Sequence, residues 1–244
     1  MELQGQRVLV TGGTAGIGRE TARLLAREGA EVIVSGRDAE RGAKTVAALE
    51  ADGGHASYVA ADLADLESVR RLAATAGAVD VLVNNAAIFP FAPTVEQTVP
   101  PFEDMFDINV RAPFFLTAAL VPAMIDKGAG SIVNVTTMVA RMGMPGAAVY
   151  SASKAALESL TRTWAAEFGG SGVRVNAVAP GPTRTEAVLA NLGEEEFEAQ
   201  GGATPLARTG DAVEIAEAIL FLASPRSSYI TGTTLAADGG ATAV

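Results

Sequence analysis

The chain contains no cysteine, so disulfides, a thiolate nucleophile and cysteine-ligated zinc are all excluded. It has a single histidine, His55, which leaves no second imidazole for a Ser-His-Asp triad placed elsewhere. Long apolar runs are also missing. The longest apolar-rich stretch, Phe114 to Ile125, contains Thr117 and Pro122 and lies between Arg111 and Asp126. A spanning helix needs roughly 20 apolar residues, so no membrane span is expected. The opening MELQGQRVLV has no basic segment followed by an apolar one and a cleavage site, so a cytoplasmic chain is expected. Basic excess is absent as well: 18 Lys and Arg against 28 Asp and Glu give a net charge of −10. Such a chain is a poor partner for a phosphate backbone, and no nucleic acid is expected.

In place of these features the sequence has small residues. Its 244 residues include 48 alanines and 26 glycines, and 49% of the chain is hydrophobic. Short β-branched runs alternate with alanine-rich helical stretches. Strands are expected at Arg7–Val10, Glu31–Ser35, Ala56–Ala60, Val79–Val83, Ser131–Val135, Val173–Ala177 and Thr233–Ala236. Helices are expected from about Ile17 to Glu28, stopped by Gly29, then at Asp38–Asp52, Asp65–Ala76, Phe102–Lys127, Val149–Phe168 and Asp211–Ala223. Pro113 and Pro122 are expected to kink the long helix. The strands are nearly continuous apolar runs, as parallel strands buried on both faces are. No linker divides the chain and no repeat is visible, so a single α/β domain with a doubly wound parallel sheet, a Rossmann fold, is expected over 1–244.

Thr11-Gly12-Gly13-Thr14-Ala15-Gly16-Ile17-Gly18 lies between the first strand and the first helix. Glycines there permit a sharp turn and let a pyrophosphate approach the amides of a helix N-terminus. Gly13 and Gly18 have the spacing of a P-loop, but Arg19-Glu20 replaces its Lys-Ser/Thr pair. At the end of the second strand, where an NAD site wants a carboxylate for the ribose hydroxyl, stand Gly36 and then Arg37. A guanidinium suits a 2′-phosphate, so NADP(H) is favoured over NAD(H). Asp38 as a displaced ribose ligand is the competing reading, although an N-cap role suits it better. Arg37 stacking on adenine would leave the preference open.

Tyr150 and Lys154 stand four apart at the start of a helix and so share a face. An ammonium beside a phenol favours the phenolate and fits the pair for proton exchange with a carbonyl or alcohol. That spacing alone is a weak signal. It gains weight because Thr136-Thr137, Asn84-Asn85-Ala86-Ala87 and Pro180-Gly181-Pro182-Thr183-Arg184-Thr185 all follow strands, at the edge where parallel sheets collect ligands.

With these motifs the chain resembles the short-chain dehydrogenase/reductase family, in its single-domain branch close to the 3-oxoacyl-carrier-protein reductases. The similarity runs from about Gly5 to Gly240. The resemblance implies an oxidoreductase that passes a hydride between a nicotinamide cofactor and a carbonyl or secondary alcohol. Tyr150 would be its general acid/base and Lys154 would hold the nicotinamide ribose. Asn109 would interrupt its helix and anchor a water that relays protons. Thr137 takes the place of the family's serine, and a threonine hydroxyl can still donate to the substrate oxygen. The cofactor would lie on Gly12, Thr14, Gly16, Ile17, Gly18 and Arg37, with Asp62 and Leu63 at adenine, and with Asn85 and Ala86 near the ribose. Thr183 and Thr185 would approach the carboxamide, with Pro180 and Gly181 also at the cofactor. Ala87 departs from the glycine that usually ends its motif. The segment 185–204 resembles a mobile lid, and helix contacts would build a homodimer or homotetramer. Phe89, Phe91, Met138, Met142, Met144 and Val188 are candidate walls for a small apolar substrate. The acidic run Glu194-Glu195-Glu196 with Glu198 reads as a solvated helix face rather than a metal site. His55 marks a strand start, and Trp164 with Leu157, Leu160 and Phe168 reads as core or interface. A carrier-linked 3-oxoacyl reductase and a weakly catalytic dinucleotide sensor are the alternatives.

Overall fold

The computed structural model describes residues 1–243. Seven parallel strands form the central sheet: β1 (Arg7–Thr11), β2 (Glu31–Gly36), β3 (His55–Ala60), β4 (Val81–Asn84), β5 (Gly130–Val135), β6 (Val173–Pro180) and a last strand, Thr234–Ala237. Their order is β3-β2-β1-β4-β5-β6 followed by the last strand, so the direction of winding reverses between β1 and β4. Two shorter strands, β7 (Thr183–Arg184) and β8 (Gly210–Asp211), pair with each other outside this sheet, which makes Thr234–Ala237 β9. The helices are α1 (Gly16–Arg27), α2 (Ala39–Ala51), α3 (Leu66–Ala76), α4 (Val99–Phe106), α5 (Ala112–Lys127), α6 (Ala148–Phe168), α7 (Glu186–Leu192), α8 (Glu194–Gly202) and α9 (Ala212–Ala223).

The expected doubly wound domain is therefore the one observed. Alternation along the strands feeds two cores. Leu9, Leu82, Ile132 and Val175 face Leu72, Leu116, Leu120, Leu157 and Trp164 on one side. Val8, Val10, Val83 and Val133 face Ala22, Leu25, Ile215 and Ile219 on the other. Alanine lets helices come close: α1 lies against α9, with Ala22, Ala26, Ala216 and Ala223 all buried. Helix starts follow local chemistry. Asp38 caps α2 by accepting from the Arg41 amide, Asp65 caps α3, and Asp211 with Glu214 forms a capping box on α9. Gly29, at φ +88°, follows the end of α1, and His55 opens β3, both as expected.

The long helix differs from expectation. It begins at Val99, and its irregularity is a π turn at Asp107–Arg111 rather than a kink at each proline. Pro113 supplies no amide to the carbonyl four residues before it, that of Asn109, and the helix widens there. Pro122 sits within α5 without ending it. The helical run Val99–Lys127 is long and apolar enough to pass for a membrane span by length and composition. Met105, Ile108, Leu116, Leu120 and Met124 on it are nevertheless buried residues of the domain.

At the far end of α9, Arg174 donates to the carbonyls of Leu222, Ala223, Ser224 and Ser227 and to the Ser227 hydroxyl, at 2.6–3.3 Å. A cation there satisfies carbonyls that the helix end leaves open.

Candidate active site

A cavity of about 390 Å³ opens along the C-terminal ends of the strands. Its floor is the joint between β1 and β4. The Thr11 hydroxyl accepts from the amides of Asn85 (3.0 Å) and Ala86 (3.1 Å). The Asn85 side chain donates to the carbonyls of Thr11 (2.9 Å) and Gly12 (3.2 Å). This network fixes the glycine turn, which requires glycine at particular positions. Gly12 has φ +63°, and a Cβ on Gly18 would meet the Gly12 carbonyl oxygen at 2.3 Å. The turn delivers the chain to α1, whose preceding residue Ala15 supplies no side-chain cap. The open amides at the start of α1 are therefore left for an anion from elsewhere. Glu186, the first residue of α7, faces them: its carboxylate pairs with Arg19 at 3.1 Å. Its pKa is held below the usual range by its own amide, by Arg19 and by the Gly16 amide.

Gly12, Thr14, Gly16, Ile17, Gly18, Arg37, Asp62, Leu63, Asn85, Ala86, Thr137, Tyr150, Lys154, Pro180, Gly181, Thr183 and Thr185 all line this cavity, as do Phe89, Phe91, Met138, Met144 and Val188. Met142 does not; it points to solvent, 41% exposed, beyond the turn that carries Met138. Asn109 is also off the cavity. It is fully buried in the π turn, where its amide oxygen accepts from the Ile88 amide (3.0 Å). Its amide nitrogen donates to the Ile88 carbonyl (2.9 Å) and the Ser153 hydroxyl (3.1 Å). The widened turn thus anchors the segment after β4 to the residue just before Lys154.

Tyr150 and Lys154 project from the first turns of α6, as their spacing requires. Lys154 is 2% exposed, and its Nζ donates to the Val135 carbonyl at 2.7 Å. Burial without a carboxylate partner draws its pKa down to about 7. Burial pushes the Tyr150 phenol up to about 12, and the Thr137 hydroxyl, hydrogen-bonded to it, works against that rise. The phenol is raised rather than lowered as expected, because desolvation is the largest influence on it. One further turn along α6, Glu158 is 6% exposed; Arg141 Nε donates to both its oxygens at 3.2 Å, and the Thr136 hydroxyl reaches it at 3.3 Å. That cluster fastens the segment after β5, and with it Thr137, to α6.

At the other end, Ser35, Gly36 and Arg37 meet Arg41, which the sequence reading missed. It lies one turn after Arg37, on α2, a spacing visible once the helix start is fixed at Asp38. Asp38 is not on the cavity: its carboxylate is engaged by the Arg41 amide and Nε, both at 3.0 Å. Its role is the N-cap. Glu186 was missed too, because nothing in the sequence folds residue 186 back onto the glycine turn.

A glycine-rich turn, open helix amides and two guanidiniums at one rim fit a dinucleotide carrying phosphates at both places. The family model described as enoyl-(acyl carrier protein) reductase, of the short-chain dehydrogenase type, matches residues 12–242. The chain belongs to the short-chain dehydrogenase/reductase family. It is 57% identical, at a TM-score of 0.95 and full coverage of both chains, to a solved short chain dehydrogenase/reductase family protein. It is 38% identical to the 3-oxoacyl-[acyl-carrier-protein] reductase of Thermotoga maritima, over 98% of this chain and 99% of that one. It is 33% identical, at a TM-score of 0.93 and covering 100% and 97%, to a gluconate 5-dehydrogenase from Burkholderia cenocepacia solved with NADP and tartrate. The chain is thus a nicotinamide-dependent oxidoreductase of this family.

Proposed function

We propose that the chain is an NADP(H)-dependent carbonyl reductase or alcohol dehydrogenase acting on small apolar substrates, with 1–244 as one cofactor-binding and catalytic domain. The carrying observation is that Tyr150, Thr137 and Lys154 share one cavity with the glycine turn. The nicotinamide, when bound, supplies or accepts the hydride. Tyr150 gives the proton to the carbonyl oxygen in reduction and takes it back in oxidation. A phenol held at about 12 is protonated at neutral pH, which suits it to the reductive direction. Thr137 donates to the substrate oxygen. Lys154 holds the nicotinamide ribose, and Asn109 fixes the backbone beside it. Pro180, Gly181, Thr183 and Thr185 steady the carboxamide, and Asp62 and Leu63 the adenine.

The preference for NADP(H) is supported by Arg37 and Arg41 at the rim, by the absence of a carboxylate from the end of β2, and by the NADP in the Burkholderia cenocepacia structure. The α7–α8 segment acts as the lid. Phe102, Phe114, Phe115 and Ile125, all exposed along α4 and α5, support self-association as a homodimer or homotetramer in the cytoplasm. Replacing Tyr150 with Phe is expected to lower kcat by about 10²- to 10⁴-fold while NADPH still raises the melting temperature. Near wild-type turnover in that variant would refute the assignment. The second reading, reduction of a carrier-linked 3-oxoacyl group, is favoured by the similarity to the Thermotoga maritima reductase. An acetoacetyl group presented on a carrier and on a small thioester separates the two readings.

A further inference from the structure

The end of the cavity that holds Tyr150 is built of rings and sulfur. Phe89 and Phe91 stand at 5.8 and 6.2 Å from the Tyr150 ring, and at 6.2 Å from each other. Met138, Met144 and Val188 complete this wall. Charge is distributed unevenly along the cavity. Arg37, Arg41 and Asp62 lie around the ends of β2 and β3, at the opposite end, and Glu186 lies over the start of α1, held by Arg19 at 3.1 Å; the charged group that shares a helix face with Tyr150 is Lys154. Lys154 is buried with its Nζ on the Val135 carbonyl. The lid adds negative charge, since Glu194, Glu195, Glu196 and Glu198 lie on α8, the helix whose Gln200 lines the cavity. Arg184, on β7 just before the lid, is taken up by Glu194 at 2.7 Å and by Glu198, and its guanidinium lies over the Phe197 ring.

We propose that this cavity selects a neutral ketone or secondary alcohol carried on a ring, with Phe89 and Phe91 as the selecting wall, and turns away substrates that bear a carboxylate. The proposal rests on the carbonyl-reductase reading above. Ring faces set at an angle to one another offer flat apolar area to a cyclic substrate and fix its orientation against Tyr150. A carboxylate entering the same space sheds its water and finds no free cation to pair with it. The acidic lid opposes an acidic carrier protein at longer range.

The test uses the wild-type enzyme with NADPH and three ketones: cyclohexanone, methyl 4-oxocyclohexanecarboxylate and 4-oxocyclohexanecarboxylate. The ester controls for size, and loss of NADPH absorbance reports turnover. The two neutral ketones are expected within about tenfold of each other in kcat/KM, and the acid about a hundredfold below the ester. A gap between acid and ester of less than tenfold would overturn the proposal. Introducing a cation through Met144→Arg, or through Gln200→Arg if the first variant does not fold, is expected to raise the acid relative to the ester at least tenfold; an unchanged ratio in a folded variant counts against it. Binding separates the two layers of inference. If NADPH binds and no ketone turns over, the reductase reading falls. The selectivity then stands or falls on whether the ester alone, or the acid equally, raises the melting temperature of the NADP⁺ complex.

Discussion

Replacing Lys154 with methionine tests the electrostatics of the cavity without any substrate. In the folded chain, burial draws the lysine from 10.5 to about 7. At about 1.36 kcal/mol per pH unit, the protonated lysine weakens the fold by a ceiling of about 5 kcal/mol. Between pH 7 and 10.5 the unfolded chain binds this proton and the folded chain does not, so stability rises with pH across that window. Below about pH 7 both states are protonated and the whole cost is in place. Methionine occupies similar volume without charge, and its one loss is the hydrogen bond from Nζ to the Val135 carbonyl, worth about 1 kcal/mol. The variant is therefore expected to be more stable than wild type at pH 6 by about 2–4 kcal/mol, which for a chain of this size is about 5–12 °C in Tm. Its advantage should shrink by about 2–3 kcal/mol at pH 9. Tyr150 does not disturb the comparison: its phenol, at about 12, stays protonated in the folded chain at both pH values. Urea and thermal unfolding of both proteins at the two pH values, with no nucleotide added, supply the four numbers. An advantage that is the same at pH 6 and pH 9, or a variant less stable at pH 6, would refute the reasoning.

Arg37→Ala is expected to weaken NADP⁺ binding by about tenfold or more and to leave NAD⁺ within threefold, since the guanidinium matters only to a 2′-phosphate; titration calorimetry with both nucleotides measures the ratio. Glu186→Gln removes the carboxylate that faces the start of α1, so ADP-ribose, which carries a pyrophosphate, is expected to bind about three- to tenfold more tightly. Binding of 2′-AMP to the same variant should not change. Arg174→Met strips the last carbonyls of α9 of their cation and is expected to cost about 3 kcal/mol, a fall in Tm of about 6–12 °C. No residue of that cluster lines the cavity, so NADPH affinity of the folded variant should be retained.

The sheet was legible because parallel strands covered on both faces are written as nearly continuous apolar runs such as VLV and IVNV. The glycine turn and the Tyr150–Lys154 pair were legible because each is a local pattern of a few residues at the end of such a run. Arg41 required knowing where α2 starts, and Glu186 required knowing that a segment 170 residues downstream of Gly16 packs on it. Contacts of that kind are set by topology and leave no periodicity behind. Met142 shows the converse: as a neighbour of Met138 and Met144 it reads as pocket, but a three-residue 3₁₀ turn rotates it outward. The π turn was half legible, through Pro113; its outcome, Asn109 bonded to the Ile88 backbone, depends on where β4 ends.

The joint of Thr11 with Asn85 and Ala86 has a consequence for how the protein comes into being. Its partners are 74 and 75 residues apart in the chain, with three helical crossovers, through α1, α2 and α3, between them. Closing so long a loop costs entropy before any contact repays it, and parallel pairings of this range form slowly. During synthesis the floor of the cavity does not exist until β4 has been made and has passed over β2 and β3 to lie beside β1. A dinucleotide that rests on this joint binds only the finished topology, and by mass action it adds RT ln(1 + [L]/Kd) to the stability of that closure.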